Sequence, residues 1–377
     1  MRKRTKSRLI LLLGVIAIAA AVAWPYLNQQ PGQTDTDGPA TASSNDMDQP
    51  GNGTDGTRPT LVNVENVQEN DSDNSPAPVP DPHPDKTGPI DPLNSLELLR
   101  PQVKMSAEQA DRIYDESVRL LSGSEISDAA LLAVRTNLSA AYFSHQLATS
   151  QQEHARKLLT AMADKTILSP VSYDNDPYTF YYTFQPGDIL TRVVDKNHLA
   201  LRVPDQLILR VNPRMDPQTI RPGTRIKMVK GPFHAVVYKD KFVMDVYLKN
   251  YDGPITFIRR LDIGIGADDA TPSGAFQVTL GKKLKHAAWN PPPGSQFKKT
   301  IAWGQPDYPL GKDGLWISLS GVEEANRHAT GYGLHGTDKP DSVGKAESLG
   351  CIRMRDADIE FTFAVLYEKW STVHLKD

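Results

Sequence analysis

The spacing of hydrophobic and polar residues changes several times along the chain, and each change marks a different kind of segment. Residues 1–8 are basic and polar, and an apolar run follows from Leu9 to Ala23. From 28 to 94 the chain is rich in Asp, Gly, Thr, Ser, Asn, Gln and Pro, with almost no aliphatic pattern. This composition buries too little apolar surface to offset the entropy of ordering, so we predict a disordered linker over 28–94.

The N-terminal segment 1–27 has the features of an export signal. A basic start, an apolar run and the small-residue site Ala21-Val22-Ala23 are typical of a secretory signal peptide. An uncleaved membrane anchor is the alternative, because Trp24 and Tyr26 suit a membrane interface. Either interpretation places the rest of the chain outside the cytoplasm, in the periplasm or the cell wall.

The region 95–168 has apolar residues at helical spacing. Ser106-Ala-Glu-Gln109 is a capping-box start, and Gly123 ends the pattern that follows it. A second helix is predicted from Asp128, as its cap, to Leu147, and a third from about Gln151 to Ala163. We interpret this helical region as a spacer or a protein-docking bundle.

Two similar turns frame the next segment, 178–230. Pro186-Gly187-Asp188 follows a short strand, and Asp188 is placed to cap a helix. Arg221-Pro222-Gly223-Thr224 precedes a second strand, Arg225–Val229. On these patterns alone the segment is a small α+β spacer.

The same segment also resembles a LysM module. The resemblance lies in Tyr182–Leu190, Asn212 and Ile220–Met228, whereas the middle of the segment is longer and more basic than is usual in that family. It implies a strand–helix–helix–strand fold whose usual ligand is glycan containing N-acetylglucosamine. A structural role without glycan binding is the alternative.

Strand patterns dominate over 233–377. Apolar residues alternate or run together over His234–Tyr238, Lys241–Leu248, Ile255–Ile265, Thr271–Val278, Leu315–Leu319 and Ser371–Leu375. We predict a two-residue hairpin turn at Lys239-Asp240, and a helix that Asp356 or Asp358 caps and that ends at Leu366. This part of the chain is therefore expected to be mainly β, with one helix near its end.

Charge and cysteine content narrow the function classes. With a net charge of −3 and a pI near 6.3, the protein as a whole lacks the excess positive charge that is typical of nucleic-acid binding. The single cysteine, Cys351, cannot form an internal disulfide, and an unpaired thiol in an exported protein is a candidate reactive group.

Cys351 has the surroundings of a nucleophile. It follows the turn Ser348-Leu349-Gly350, and His335 lies sixteen positions upstream. A thiolate attacks carbonyl groups far better than a thiol does, so a cysteine nucleophile needs an imidazole to take its proton. Gly350 permits close backbone approach, and the N–H groups of this turn are candidate donors to an oxyanion. A buried structural cysteine is the alternative.

Three blocks around these residues resemble the L,D-transpeptidase catalytic domain of the YkuD type. They are TPSGAF at 271–276, HGT at 335–337 and SLGCIRM at 348–354, in the family's order. Many members carry His where this chain has Leu349. The resemblance covers about 233–376 and implies a mainly antiparallel β-sandwich with one packed helix.

The resemblance also assigns roles to individual residues. It makes Cys351 the nucleophile, His335 the general base and acid, and Gly336 the source of a backbone carbonyl that orients the imidazole. Leu349, Gly350 and Cys351 would offer backbone N–H groups to the oxyanion.

Three further residues are candidates for binding substrate or organising the site. Arg353 matches the family's C-x-R position, with a surface salt bridge as its alternative role. The Ser348 hydroxyl would organise the turn, and Tyr332 would line the cleft.

The implied reaction is acyl transfer on peptidoglycan, with stem peptides and glycan strands as partners and no cofactor. The thiolate attacks the bond between the third stem residue and D-alanine, and an acceptor amine completes a 3-3 cross-link. Water in place of the amine would make an L,D-carboxypeptidase. Two more hypotheses are a non-catalytic wall anchor and a zinc or thiol hydrolase that acts on a different amide. The spacing of His328, His335 and Cys351 fits no common zinc signature, so we predict no metal site.

Overall fold

The computed structural model describes residues 103–195, 199–250, 253–292 and 295–377. The predicted export signal over 1–27 and the predicted linker over 28–94 lie outside these residues. Within them, no helix is long and apolar enough to cross a membrane.

Three helices form the region that precedes the first strand: α1 (Ala107–Leu121), α2 (Asp128–Phe143) and α3 (Thr149–Thr166). The capping box is present, since Gln109 N–H donates to Ser106 Oγ and Ser106 N–H donates to the Gln109 side chain. The cap of α2 is Ser127 rather than Asp128, because the Ser127 hydroxyl accepts from Ala130 N–H. The predicted extension of α2 to Leu147 is wrong, because His145 adopts a left-handed conformation that ends the helix.

The segment 178–230 contains β1 (Thr179–Thr183), α4 (Leu190–Val194), α5 (Asp205–Val211) and β2 (Arg225–Val229). The two strands pair antiparallel, with Tyr181 opposite Lys227. Asp188 does not cap α4 as predicted; its carboxylate accepts from Tyr182 Oη and Gln185 N–H and closes the preceding turn. The element order is the one that the LysM resemblance implies, while the identification with that family stays a prediction.

A mixed sheet of eight strands forms the centre of the remaining chain. Its strands are β3 (Phe233–Tyr238), β4 (Val243–Leu248), β5 (Thr256–Asp262), β7 (Gly274–Leu284), β8 (Trp316–Gly321), β9 (Gly333–Gly336), β11 (Ile352–Met354) and β12 (Thr372–Lys376). Their order across the sheet is β11-β9-β8-β7-β12-β3-β4-β5. A second, two-stranded sheet pairs β6 (Ile265–Gly266) with β10 (Ala346–Ser348). The prediction of a mainly-β core is confirmed.

The large sheet is mainly antiparallel, as predicted, but it contains two parallel pairs and one turn that is longer than predicted. The β9–β11 and β12–β3 pairs are parallel, whereas the other neighbours in this sheet are antiparallel. The turn between β3 and β4 is a 3-10 turn over Lys239–Lys241 followed by left-handed Phe242, so it is longer than the predicted two residues.

Helices cover both faces of the sheet. Tyr142 and Phe143 of α2 share a buried cluster with Tyr247 and Phe257, so the helical region packs on the β3–β5 end. Helix α6 (Asp356–Val365) and the segment 178–230 contribute to the second buried cluster. The helical region, interpreted above as a spacer or a protein-docking bundle, therefore contributes to the buried core.

Candidate active site

The parallel pairing of β9 with β11 brings the two candidate catalytic residues together. The register places Leu334 opposite Ile352 and His335 opposite Arg353. Cys351 immediately precedes Ile352, so it lies just before β11, which pairs with the strand that carries His335. Between β9 and β11 the chain passes through β10, which pairs with β6. This connection lets β11 run parallel to β9.

His335 is held on two sides. Its Nδ1 lies 2.5 Å from the carbonyl oxygen of Gly336, and its ring stacks on Trp316 with centroids 5.6 Å apart. Only an N–H can bond to a carbonyl, so Nδ1 carries the proton and Nε2 is the free basic nitrogen. The imidazole is therefore fixed in one tautomer and one ring orientation, with Nε2 as its basic nitrogen.

Burial sets the ionisation of this imidazole. His335 is only 6% exposed. Desolvation lowers its pKa to about 4, against a smaller upward effect of the Gly336 carbonyl, and the positive charge of Arg353 lowers it further. The imidazole is therefore neutral at pH 7 and able to accept a proton.

The Cys351 thiol is also neutral at pH 7. Cys351 is partly exposed, and its Sγ lies 3.6 Å from the carbonyl oxygen of Gly331. Desolvation raises the pKa of the thiol to about 11, while the backbone N–H of Gly333 and the charge of Arg353 oppose that rise. The thiol of Cys351 and the imidazole of His335 are therefore both uncharged at neutral pH.

The turn before Cys351 is closed by hydrogen bonds of Ser348. Its hydroxyl donates to the Cys351 carbonyl at 2.6 Å and accepts from Gly350 N–H at 3.0 Å. These bonds tie the turn together, which is the role expected of this hydroxyl. Because Gly350 N–H is occupied, it is not directed toward a substrate; Leu349 and Cys351 remain as the candidate oxyanion donors.

Thr271 contributes to the site, a role that sequence reasoning missed. It is buried, and its hydroxyl donates to the Gly350 carbonyl at 2.9 Å. Thr271 opens the TPSGAF block, but nothing in the spacing of that block indicates which residue of the turn it contacts. The contact joins positions 79 residues apart.

The other candidate residues surround this centre. The Tyr332 ring lies against Gly350, and Leu349, two positions before Cys351, is 54% exposed. Arg353 is half-buried, its backbone bridges to Gly264, and its side chain has no ion pair within the described residues. His328 is exposed, and the described residues hold no group of three or more His, Cys, Asp or Glu side chains suited to a metal ion.

Comparison with known proteins defines the class of this domain. Residues 232–375 match the family model of the L,D-transpeptidase catalytic domain, YkuD. The prediction of such a domain is confirmed for this part of the chain.

Particular relatives agree with that class. A putative L,D-transpeptidase, YqjB of Bacillus subtilis (strain 168), is 39% identical over 99 residues, which are 26% of this chain and 48% of that protein. The putative L,D-transpeptidase YkuD of the same organism is 33% identical over 112 residues, which are 28% of this chain and 59% of that protein. The chain thus spans about half the length of these two relatives.

Solved structures include an L,D-transpeptidase from Mycobacterium smegmatis. It is 14% identical, with 41% of this chain and 64% of that chain covered and a TM-score of 0.29.

Proposed function

We propose that this protein is a peptidoglycan L,D-transpeptidase that uses Cys351 as nucleophile and His335 as general base. The observation that carries the proposal is the β9–β11 pairing, in which the strand that follows Cys351 pairs with the strand that carries His335, whose Nδ1 is bonded to Gly336. The family match of residues 232–375 supports the same reaction class.

The first half of the reaction forms a thioester. His335 Nε2 takes the thiol proton as Sγ of Cys351 attacks the carbonyl between the third stem residue and D-alanine. The protonated imidazole then gives that proton to the departing D-alanine amine. An oxyanion develops on the attacked carbonyl, and a backbone donor is needed to stabilise it.

The second half transfers the acyl group. An amine of a neighbouring stem peptide attacks the thioester, His335 accepts its proton, and the thiol is restored by that proton. The product is a 3-3 cross-link. Arg353, with no ion pair among the described residues, is proposed to bind a substrate carboxylate, and Tyr332 and Leu349 to line the cleft.

The test uses the full chain with purified disaccharide-tetrapeptide and mass spectrometry of the products. We expect a dimer of two stems minus one D-alanine in the wild type, and none in Cys351→Ala or His335→Asn. His328→Asn is the matched control, because His328 is exposed and outside the site. Chelator is expected to leave the product unchanged, and Arg353→Gln to raise KM.

Different outcomes would assign different functions. Release of D-alanine without dimer would identify an L,D-carboxypeptidase. Loss of product on adding chelator would indicate a zinc hydrolase. No product that depends on Cys351, together with binding to peptidoglycan, would identify a non-catalytic wall anchor.

Glycan binding by the segment 178–230 is a second proposal, and the paired strands β1 and β2 around two helices support it. It would hold the enzyme on peptidoglycan in the cell envelope, where 1–27 would act as export signal or membrane anchor. Co-sedimentation of Cys351→Ala with insoluble peptidoglycan tests binding without turnover. Recovery of all the protein in the supernatant would contradict it.

A further inference from the structure

The peptide group between Gly350 and Cys351 is held from the interior of the protein. The Thr271 hydroxyl donates to the Gly350 carbonyl at 2.9 Å, and Thr271 is only 1% exposed. Gly266 packs against the same peptide, since a Cβ added at Gly266 would lie 2.8 Å from Gly350 Cα. The Gly350 carbonyl therefore points inward.

The direction of this hydrogen bond is determined by a second one. Gly266 N–H donates to the Thr271 oxygen at 2.7 Å, so that oxygen is already an acceptor and its own proton is available for Gly350. The Thr271 carbonyl accepts from the ammonium of Lys239 at 3.1 Å. Thr271 is thus fixed through both its hydroxyl and its backbone.

An inward carbonyl means an outward N–H. The Gly350–Cys351 peptide is trans, and in a planar trans peptide the C=O and N–H bonds point in opposite directions. Cys351 N–H is therefore directed away from Thr271 and the buried side of the turn. Gly350 N–H, in contrast, is bonded to Ser348.

We propose that Thr271 is a positioning residue for acyl transfer: by holding the Gly350 carbonyl, it aims the Cys351 N–H at the oxygen of the attacked carbonyl. The inference rests on the proposed role of Cys351 as acyl nucleophile. The donor belongs to the nucleophile's own residue, so it lies next to the carbonyl carbon that Sγ attacks. Thr271 touches no reacting atom and acts through this peptide group.

Two small reagents separate this role from a merely structural one. With p-nitrophenyl acetate, Sγ forms a thioester and p-nitrophenolate leaves, so an oxyanion develops on the way. With iodoacetamide, Sγ displaces iodide from a saturated carbon and no oxyanion forms. In both reactions the thiol proton passes to His335 or to solvent. Mass spectrometry of Cys351 measures each rate on the full chain.

Thr271→Val removes the hydroxyl and keeps the shape, whereas Thr271→Ser keeps the hydroxyl. We expect acylation of Thr271→Val to fall by about 10²–10³-fold, as for loss of one oxyanion donor, with the alkylation rate unchanged. Thr271→Ser is expected to retain acylation. The control is Thr279→Val, because the Thr279 hydroxyl bonds to Ser320 on the exposed part of β7 and β8.

Several results would overturn the proposal. Equal losses of acylation and alkylation would show that Thr271 only maintains the fold around Cys351, and unchanged acylation would show that the donor is aimed without it. If Thr271→Val does not fold, Thr271→Ala is measured in the same two reactions. A wild-type Cys351 that is alkylated but never acylated would instead contradict the proposed function.

Discussion

At the scale of single residues, the candidate site depends on groups that are kept neutral and on a backbone conformation that residues other than glycine rarely adopt. Desolvation lowers the pKa of His335 to about 4 and raises that of Cys351 to about 11, so neither carries charge before substrate arrives. Gly350 has a φ of +127°, and this positive dihedral angle sets the path of the backbone through the turn. The positions of Ser348 and Thr271 around that turn depend on this conformation.

Replacement of Gly350 by alanine tests that dependence. A Cβ at this position would lie 2.7 Å from the Tyr332 ring and 2.9 Å from the Ala270 carbonyl oxygen. We expect Gly350→Ala to lose most acylation of Cys351, measured with p-nitrophenyl acetate. Positive φ alone costs an L-residue about 1–2 kcal/mol.

The matched control is Gly344→Ala. Gly344 has φ of +91°, but a Cβ there would have nothing within 4 Å. It therefore carries the backbone strain without the contacts, and we expect it to retain activity. Equal losses in the two variants would show that strain, rather than the Tyr332 and Ala270 contacts, determines the effect.

At the scale of elements, helix α2 and the β4–β5 strands meet through a buried polar cluster. Tyr142 donates to Asp245, and Arg260 binds the same carboxylate through Nε and one terminal nitrogen, at 2.6 and 2.8 Å. Asp245 is fully buried and Arg260 is 25% exposed. Removing one member of such a cluster leaves its partners buried and unpaired, so we expect a single substitution here to weaken the docking of the helical region.

Asp245→Ala is predicted to lower the free energy of unfolding by about 3–5 kcal/mol, the cost typical of breaking a buried ion pair. Asp262→Ala is the control, since Asp262 pairs with Arg355 at 3.1 Å with both side chains about half exposed. An exposed pair contributes about 0–1 kcal/mol. Urea denaturation of the full chain measures both, and a similar small loss in each would contradict the docking role of the cluster.

At the scale of the whole molecule, buried neutral histidines link stability to pH. His234 lies on β3, between β12 and β4: its Nδ1 accepts from Thr372 N–H on β12 at 3.1 Å, and its Nε2 donates to the carbonyl of Lys249, just after β4, at 3.0 Å. Protonation of Nδ1 would place its N–H against the N–H of Thr372 and break this hydrogen bond. Desolvation lowers the pKa of His234 to about 3, with the charges of His374 and Lys249 adding smaller effects.

Stability is predicted to fall in acid. The pKa values of His234 and His335 are lower in the folded state than the ordinary value near 6.5, so the unfolded chain binds protons first as the pH falls. The stabilisation that these two neutral histidines provide is complete above pH ~6.5. As the pH falls it is lost progressively, down to about pH 4 for His335 and about pH 3 for His234. The loss is at most about 1.4 kcal/mol per pH unit for each histidine.

Urea denaturation across that pH range measures the effect, and His234→Gln isolates one contribution. This variant cannot titrate at 234, so its unfolding free energy should depend less steeply on pH, whatever its stability at pH 7. His328→Gln, which changes an exposed histidine, should keep the wild-type slope. An unchanged slope in His234→Gln would contradict the prediction.

The amino-acid sequence alone determined the features that depend on neighbouring residues. Two such features are the capping box at Ser106 and the strand alternation over 233–248, which follow from side chains within a few positions. The nature of the catalytic domain was also predictable, because its motifs are short and specific. Local hydrogen bonds and turn conformations explain why these interpretations succeed.

Only the tertiary structure decided the features that depend on distant contacts. The parallel pairing of β9 with β11, the packing of α2 on the sheet and the bond from Thr271 to Gly350 join parts of the chain with no local signal for one another. They arise from the burial of shared apolar surface and the need of each buried polar group for a partner. Sequence supplied the reactive groups, and long-range packing placed them and oriented the peptide beside them.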